Sequence, residues 1–173
     1  MKIIKAPKSI KEHGSFLSVF LAGSIEMGQA EDWQSRVERE MGDFADDVLS
    51  IFNPRRDDFQ TDQKQSIDNP YFKEQVMWEL DGLNQATHIF MYLHPDTKAP
   101  ITMLELGLFA EWQSIIVVCP DGFWRKGNIE IICDVYDIPL ISTLEEGIEE
   151  LQKVINANVE FAKTHGTYGS SDE

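Results

Sequence analysis

The sequence predicts an α/β protein built on a doubly wound five-stranded parallel sheet, a flavodoxin-like (Rossmann-like) three-layer sandwich. Three observations carry that expectation. Short β-rich apolar runs alternate with stretches of helical spacing, which is how successive strand–helix–strand units read. The runs number five, and five strands fit an order in which strand two and strand three flank strand one. A chain of 173 residues suits one domain that buries its own core without staples.

Residues 1–14 read as a loose lead-in. The first strand is expected at Phe16–Ala22, running into Gly23-Ser24-Ile25. A helix follows from about Glu31 to Phe44, with Trp33, Val37, Met41 and Phe44 at steps of three and four. The second strand, Val48–Phe52, leads into Asn53-Pro54-Arg55-Arg56. The polar Asp57–Asn69 segment is then a long loop, of a length that tends to be functional or disordered. Pro70 suits the first turn of a second helix to Asn84, which carries Val76, Leu80 and Leu83 on one stripe. The third strand is His88–Leu93 and the third helix Ile101–Trp112. The fourth pair is Ser114–Cys119 and Asn128–Val135, and the fifth is Ile138–Ile141 and Thr143–Phe161. Thr143 and Glu146 form a capping-box pattern at the start of that last helix. The tail, Thr164–Glu173, is polar and Gly/Ser-rich and would not fold alone. The expected domain is thus single, residues 1–173, with loose ends and no internal repeat.

Charge and cysteine usage narrow the function. The net charge of −15, from 15 basic and 30 acidic side chains, repels a polyphosphate backbone and argues against nucleic acid duplexes. It does not exclude one nucleoside or nucleotide, which a few local groups recognise. Cys119 and Cys133 sit among valines and isoleucines and read as reduced core thiols. No apolar run is long enough for a bilayer, and the basic start lacks the apolar stretch of a secretory signal. The cytoplasm is the default compartment.

In open parallel sheets ligands bind beyond the carboxyl ends of the strands, near the switch in strand order. That rule selects the residues after each strand before any motif is invoked. Gly23 permits close backbone approach and Ser24 offers a hydroxyl, although an ordinary βα turn explains both equally well. Arg55 and Arg56 bring two cations to a strand end of an acidic chain, for an anionic or planar ligand or for salt bridges to nearby acids. Glu105 is the most informative residue. It stands in Ile101-Thr102-Met103-Leu104-Glu105-Leu106-Gly107-Leu108-Phe109, where a carboxylate is costly unless exposed, paired or functional. Composition alone leaves a solvent-facing glutamate ahead. Gly107 weakens that reading, because a helical glycine costs about 1 kcal/mol relative to alanine and usually permits a close approach. Gln75 and Glu79 share a helix face, with Asp81 pointing elsewhere.

Taken together these segments resemble the nucleoside 2-deoxyribosyltransferase-like family. The resemblance runs through Phe20–Ile25, Asn53–Arg56, Gln75–Glu79, Pro100–Gly107 and Gly122–Glu130, and spans roughly residues 16–142. It implies N-glycosidic bond cleavage and 2-deoxyribosyl transfer between nucleobases, in purine or pyrimidine salvage, with no cofactor and no metal. The glutamate of the Glu-x-Gly motif, Glu105, would be the nucleophile. A second carboxylate near an Ala-Thr step would move the proton to the base; Glu79 fits, with Asp81 second. The better-known transferases have aspartate where Glu79 stands. They also carry an acid before the nucleophile, which Lys98-Ala99-Pro100 lacks and for which Asp96 is the substitute. Trp78, Phe123 and Trp124 are candidates to stack on the base, and Gly23, Ser24, Asn53, Gln75 and Asn128 complete the expected pocket. The resemblance further implies a homo-oligomer, dimer or higher, in which a neighbouring subunit's C-terminal segment helps to close the pocket; Tyr168 is the tail's one aromatic. Two other readings stand beside it. One is a hydrolase of 2-deoxyribonucleoside 5′-monophosphates, with Ser24, Arg55, Arg56, Arg125 and Lys126 as phosphate ligands. The other is a non-catalytic nucleotide sensor.

Overall fold

The computed structural model describes residues 1–11, 13–24, 32–57 and 64–166. Six strands form one sheet: β1 (Lys2–Lys5), β2 (Leu17–Gly23), β3 (Leu49–Asn53), β4 (His88–Tyr92), β5 (Ile115–Val118) and β6 (Leu140–Ile141). All pair in parallel, in the order β1-β3-β2-β4-β5-β6. The helices are α1 (Trp33–Glu40), α2 (Pro70–Gln85), α3 (Pro100–Phe109), α4 (Lys126–Val135) and α5 (Leu144–Thr164). Among the described residues no helix is long and apolar enough to cross a membrane.

The pleat divides the core into two. Phe20, Ala22, Phe52, Ile89, Met91, Ile115 and Val117 face one side with Leu83, Leu106, Phe109 and Ile129 of α2, α3 and α4. Leu17, Val19, Leu21, Leu49, Ile51, Phe90, Tyr92, Ile116 and Val118 face the other with α1 and α5. Alternate residues of every central strand are therefore buried on opposite faces, which is why the strands read as continuous apolar runs. Handedness explains the layers. The step from β2 to β3 runs one way across the sheet and the steps to β4, β5 and β6 run the other way, so right-handed crossovers put α1 opposite α2, α3 and α4.

The sheet has six strands rather than five, and the lead-in is not loose. Lys2, Ile3, Ile4 and Lys5 pair with Ser50–Asn53 at the sheet edge. The segment beyond is tied down too, with Ala6 and Ile10 in the core and the Trp78 indole N–H donating to the Lys8 carbonyl at 2.7 Å. Two isoleucines between two lysines are too short a run to show a period, and lysines on a short edge strand are what such edges carry. Other ends also shift. The first helix stops at Glu40, not Phe44, where Met41 and Gly42 close a turn. The fourth begins at Lys126 rather than Asn128, the last continues to Thr164, and the fifth predicted strand shrinks to Leu140–Ile141. Ile25, Glu31, part of the Asp57–Asn69 loop and most of the tail, with Tyr168, lie outside the described residues.

Capping follows the sequence. The Asn69 side chain accepts from the amides of Tyr71 and Phe72 ahead of Pro70, and Thr143 accepts from the amide of Glu146. At the far end of α2, Thr87 Oγ1 donates to the Ser18 carbonyl at 2.7 Å, fastening the start of β4 to β2. Cys119 and Cys133 are buried free thiols, each pushed up to about 11 by burial.

Gly147 lets α5 lie on the sheet: a Cβ there would stand 2.3 Å from Val118 Cγ2 and 3.3 Å from the Phe90 ring. Gly147→Ala should therefore lose about 1–3 kcal/mol from overpacking, less the helix-propensity gain. Gly127→Ala, whose methyl would meet nothing within 4 Å, should hold or raise stability. Urea denaturation of the two variants checks the contrast; equal midpoints would refute it.

Candidate active site

The carboxyl ends of β2 and β3, with the loops after them, bring Gly23, Ser24, Asn53, Arg55 and Arg56 to one end of the sheet, and the loop after β4 leads into α3. Pro100 opens α3 immediately after Ala99, which is held in the left-handed region at φ 43° and caps the helix without a side-chain hydrogen bond. A non-glycine residue there is strained by about 1 kcal/mol or more. The inner stripe of α3 is Thr102, Glu105, Leu106 and Phe109. Its outer side shows Ile101, Leu104 and Leu108, each half exposed or more. The helix thus puts apolar residues outward and the carboxylate inward, on the buried stripe. Glu105 is only 8% exposed, which removes the solvent-facing reading.

Burial pushes the Glu105 carboxyl up to about 8, and the negative charge of Glu79 adds to the rise. Glu79, half-buried on α2, is also raised by burial, while a hydrogen bond from Gln75 works against that rise. The Gln75 amide donates to Glu79 Oε1 at 2.8 Å and to the Pro54 carbonyl at 2.9 Å. One side chain therefore fixes the second carboxylate to the end of β3. Asp81 lies on the exposed side of α2, away from this pair.

The strand ends are cross-linked by polar contacts. Asn53 donates to Glu38 at 2.6 Å and its Oδ1 accepts from the Arg55 amide at 2.9 Å. Arg55 pairs with Asp32 at 3.0 Å, and Arg56 pairs with Glu74 at 2.9 Å while stacking over Tyr71 at 4.2 Å. Both arginines thus take the salt-bridge alternative. Ser24 Oγ and Thr97 Oγ1 are 2.6 Å apart, and the Ser24 carbonyl accepts from the Trp33 indole at 3.0 Å. Gly23 leaves no room for a Cβ, which would lie 2.5 Å from the Tyr92 carbonyl and 2.8 Å from the Trp33 ring. Its missing side chain serves packing between β2, β4 and α1.

Other expected residues are dispersed. Trp78 is buried against Phe20 and spends its N–H on Lys8, and Phe123 lies in the core. Trp124 is exposed, donates to the Lys98 carbonyl at 3.1 Å and carries the Arg125 guanidinium on its ring. Asp96 is exposed on its loop and Asn128 in the first turn of α4, and Lys126 pairs with Asp121. Among the described residues nothing lies within 4 Å of a Cβ on Gly107, so none of them explains that glycine. Asp32, Glu38 and Thr97 were missed in the sequence because an acid on a helix, or a threonine in a turn, gives no signal apart from its partner. Among the described residues no three His, Cys, Asp or Glu side chains cluster to hold a metal ion.

A family model described as nucleoside 2-deoxyribosyltransferase like matches residues 17–123, from the start of β2 to Phe123. A search of curated proteins found no match. Among solved structures, the crystal structure of a conserved protein from Enterococcus faecalis V583 is similar over 79% of this chain and 98% of that one, with TM-score 0.54 and 11% identity. At that identity the likeness shows the fold.

The burial of Glu105 has a sign that can be measured. The unfolded chain loses this proton near 4.5 and the folded chain near 8. Between those values the unfolded state holds fewer protons, so the group costs stability increasingly as pH rises, and the cost levels off above 8. Glu105→Gln should thus melt above the parent at pH 8, at about 2–4 °C per kcal/mol gained for a chain of this size. The gap should close toward pH 4.5. A variant that melts lower at pH 8 would show a carboxylate stabilised by its surroundings.

Proposed function

The chain belongs to the nucleoside 2-deoxyribosyltransferase-like family, and on that premise we propose that it cleaves the N-glycosidic bond of a 2-deoxyribosyl nucleoside and transfers the sugar to another nucleobase. The observation that carries the reading is the inward-turned, buried Glu105 with a second carboxylate, Glu79, electrically coupled to it. The charge that acts on Glu105 is the like charge of Glu79.

Cleavage of the bond builds positive charge on the sugar and negative charge on the departing base. An oxygen of ionised Glu105 bonds to C1′ as the C1′–N bond breaks, and that electron pair leaves with the base nitrogen, which takes a proton from Glu79. An acceptor base then attacks C1′ from the vacated side, the glutamyl bond breaks, and the acceptor's proton passes to Glu79. Burial of the pair limits water, the competing acceptor. In the free protein the proton favours Glu105, since Gln75 hydrogen-bonds ionised Glu79. Catalysis needs the reverse, and positive charge developing at C1′ favours it.

The monophosphate hydrolase reading requires phosphate ligands. Arg55, Arg56 and Lys126 are each held by an acid, and Ser24 by Thr97, so a nucleoside is the better-supported substrate. The decisive experiment incubates deoxynucleosides with free adenine and identifies products by mass spectrometry. Exchange of bases supports transfer; free deoxyribose alone means hydrolysis; binding without turnover means a sensor.

Glu105→Ala should lose several orders of magnitude in rate while folded, and a slow substrate should leave a deoxyribosyl adduct on the peptide containing Glu105. Retained activity in Glu105→Ala would end the proposal. The alkaline limb of kcat/KM should follow loss of the pair's shared proton near 8 and vanish in Glu79→Gln, which has no proton to give. That variant should also hurt poor leaving groups more than activated ones. An unmoved limb and a uniform loss would assign Glu79 to positioning.

We further propose assembly as a homo-oligomer through the outer side of α3. Helices apolar all round are normally covered, and Ile101, Leu104, Leu108 and nearby Trp112 leave this one bare in a single chain. On a chain of charge −15 an uncharged face beside Gly107 is where two copies can approach without repulsion. Leu104→Glu with Leu108→Glu should convert the assembly to monomers in sedimentation; a parent chain that is already monomeric would refute it.

A further inference from the structure

We propose that Gln34 is a specificity residue of this site, its side-chain amide hydrogen-bonding the edge of the nucleobase. The proposal rests on the reading that the ligand is a nucleoside.

Gln34 lies in the first turn of α1 and is 0% exposed, yet neither its Nε2 nor its Oε1 has a hydrogen-bond partner. Among the described residues the one other buried side-chain nitrogen or oxygen in that condition is Oε1 of Gln75. A buried amide without partners is costly, and an apolar residue would fill the space more cheaply. The inner side of α1 is otherwise Trp33, Val37 and Met41, so packing does not call for glutamine there.

Its position gives the reason. The helix α1 returns from the end of β2 to the start of β3, so its first turn lies at the carboxyl ends of the strands. Glu38 accepts from Asn53, the last residue of β3. Gln34 is four residues earlier on the same face, about one turn or 5–6 Å farther in the direction the strands point. That is the level of Asn53-Pro54-Arg55, where Trp33 reaches Ser24 and Asp32 holds Arg55. From the opposite face of the sheet, Gln75 reaches the Pro54 carbonyl and Glu79, with its own Oε1 unused. Two enclosed amides with spare bonding capacity therefore flank the end of β3, one of them holding Glu79.

The chemistry selects the part of the ligand. A primary amide presents a donor beside an acceptor. Nucleobase edges present the complementary pair, an N–H beside a carbonyl or a ring nitrogen beside an amino group. A phosphate offers acceptors alone and would leave Oε1 unmatched.

The test compares the parent with Gln34→Leu, and with Gln34→Met should the leucine variant fail to fold. Equilibrium binding and kcat/KM are measured for deoxyadenosine, deoxyguanosine, deoxycytidine and thymidine. Because no internal hydrogen bond is lost, the melting temperature should hold or rise. Affinity for the preferred nucleoside should fall roughly 10–100-fold, mainly in KM, and the ranking of the four should flatten. Unchanged affinity and ranking in a variant of a nucleoside-binding parent would overturn this assignment alone. An equal loss for all four would mean a packing role and would overturn it as well. A parent that binds none of the four would overturn the nucleoside reading, and this assignment with it.

Discussion

A carboxylate turned into the apolar side of a helix is the constraint around which this end of the molecule is arranged. Glu105 takes a place in the α3 stripe that a leucine would fill at lower cost, and leucines stand on the outside instead. Its burial, the like charge of Glu79 and the strained backbone at Ala99 all count against the folded state. Such costs persist only where the rest of the fold outweighs them. Here that means two well-filled cores on either side of a fully parallel sheet, with the switch in strand order at β2 supplying the open end.

How this arrangement shows in the sequence differs from residue to residue. The central strands were legible because burial on both faces writes itself as short apolar runs, and the strand order followed from their number and handedness. The edge strand β1 was not, since four residues with lysines at both ends carry no period. Glu105 drew notice by its neighbours, but its direction could not be read. An all-apolar helix has no polar face to fix which side is inward, so the solvent-facing alternative stood until the structure turned it. Aromatic residues told least: Trp78 and Phe123 are core, Trp124 is exposed, and nothing in their spacing separates the cases.

Polar partners are the other part that sequence withholds. Arg55 and Arg56 left ligand contact and salt bridge both open in an acidic chain, and which acids hold them, Asp32 and Glu74, the sequence could not say. Gln34 shows the opposite failure. A glutamine in an amphipathic helix reads as solvated, and only enclosure without a partner marks it out. Both cases turn on where a side chain's hydrogen bonds go, which is a property of the folded contact set rather than of local pattern.

The left-handed Ala99 also sets a mechanical phase. A helix is a screw that turns about 100° per residue, so the residue at which it starts decides which way every later side chain points. Ala99 at φ 43° followed by the fixed ring of Pro100 clamps that starting angle. A start displaced by one residue would swing Glu105 a quarter-turn and more toward solvent and bring Leu104 or Leu106 into its place. The clamp lies at the head of the helix, about one and a half turns from the carboxylate it aims. Sequence changes in this short loop therefore act on the active centre as changes of angle, with no contact to it and no loss of the helix itself.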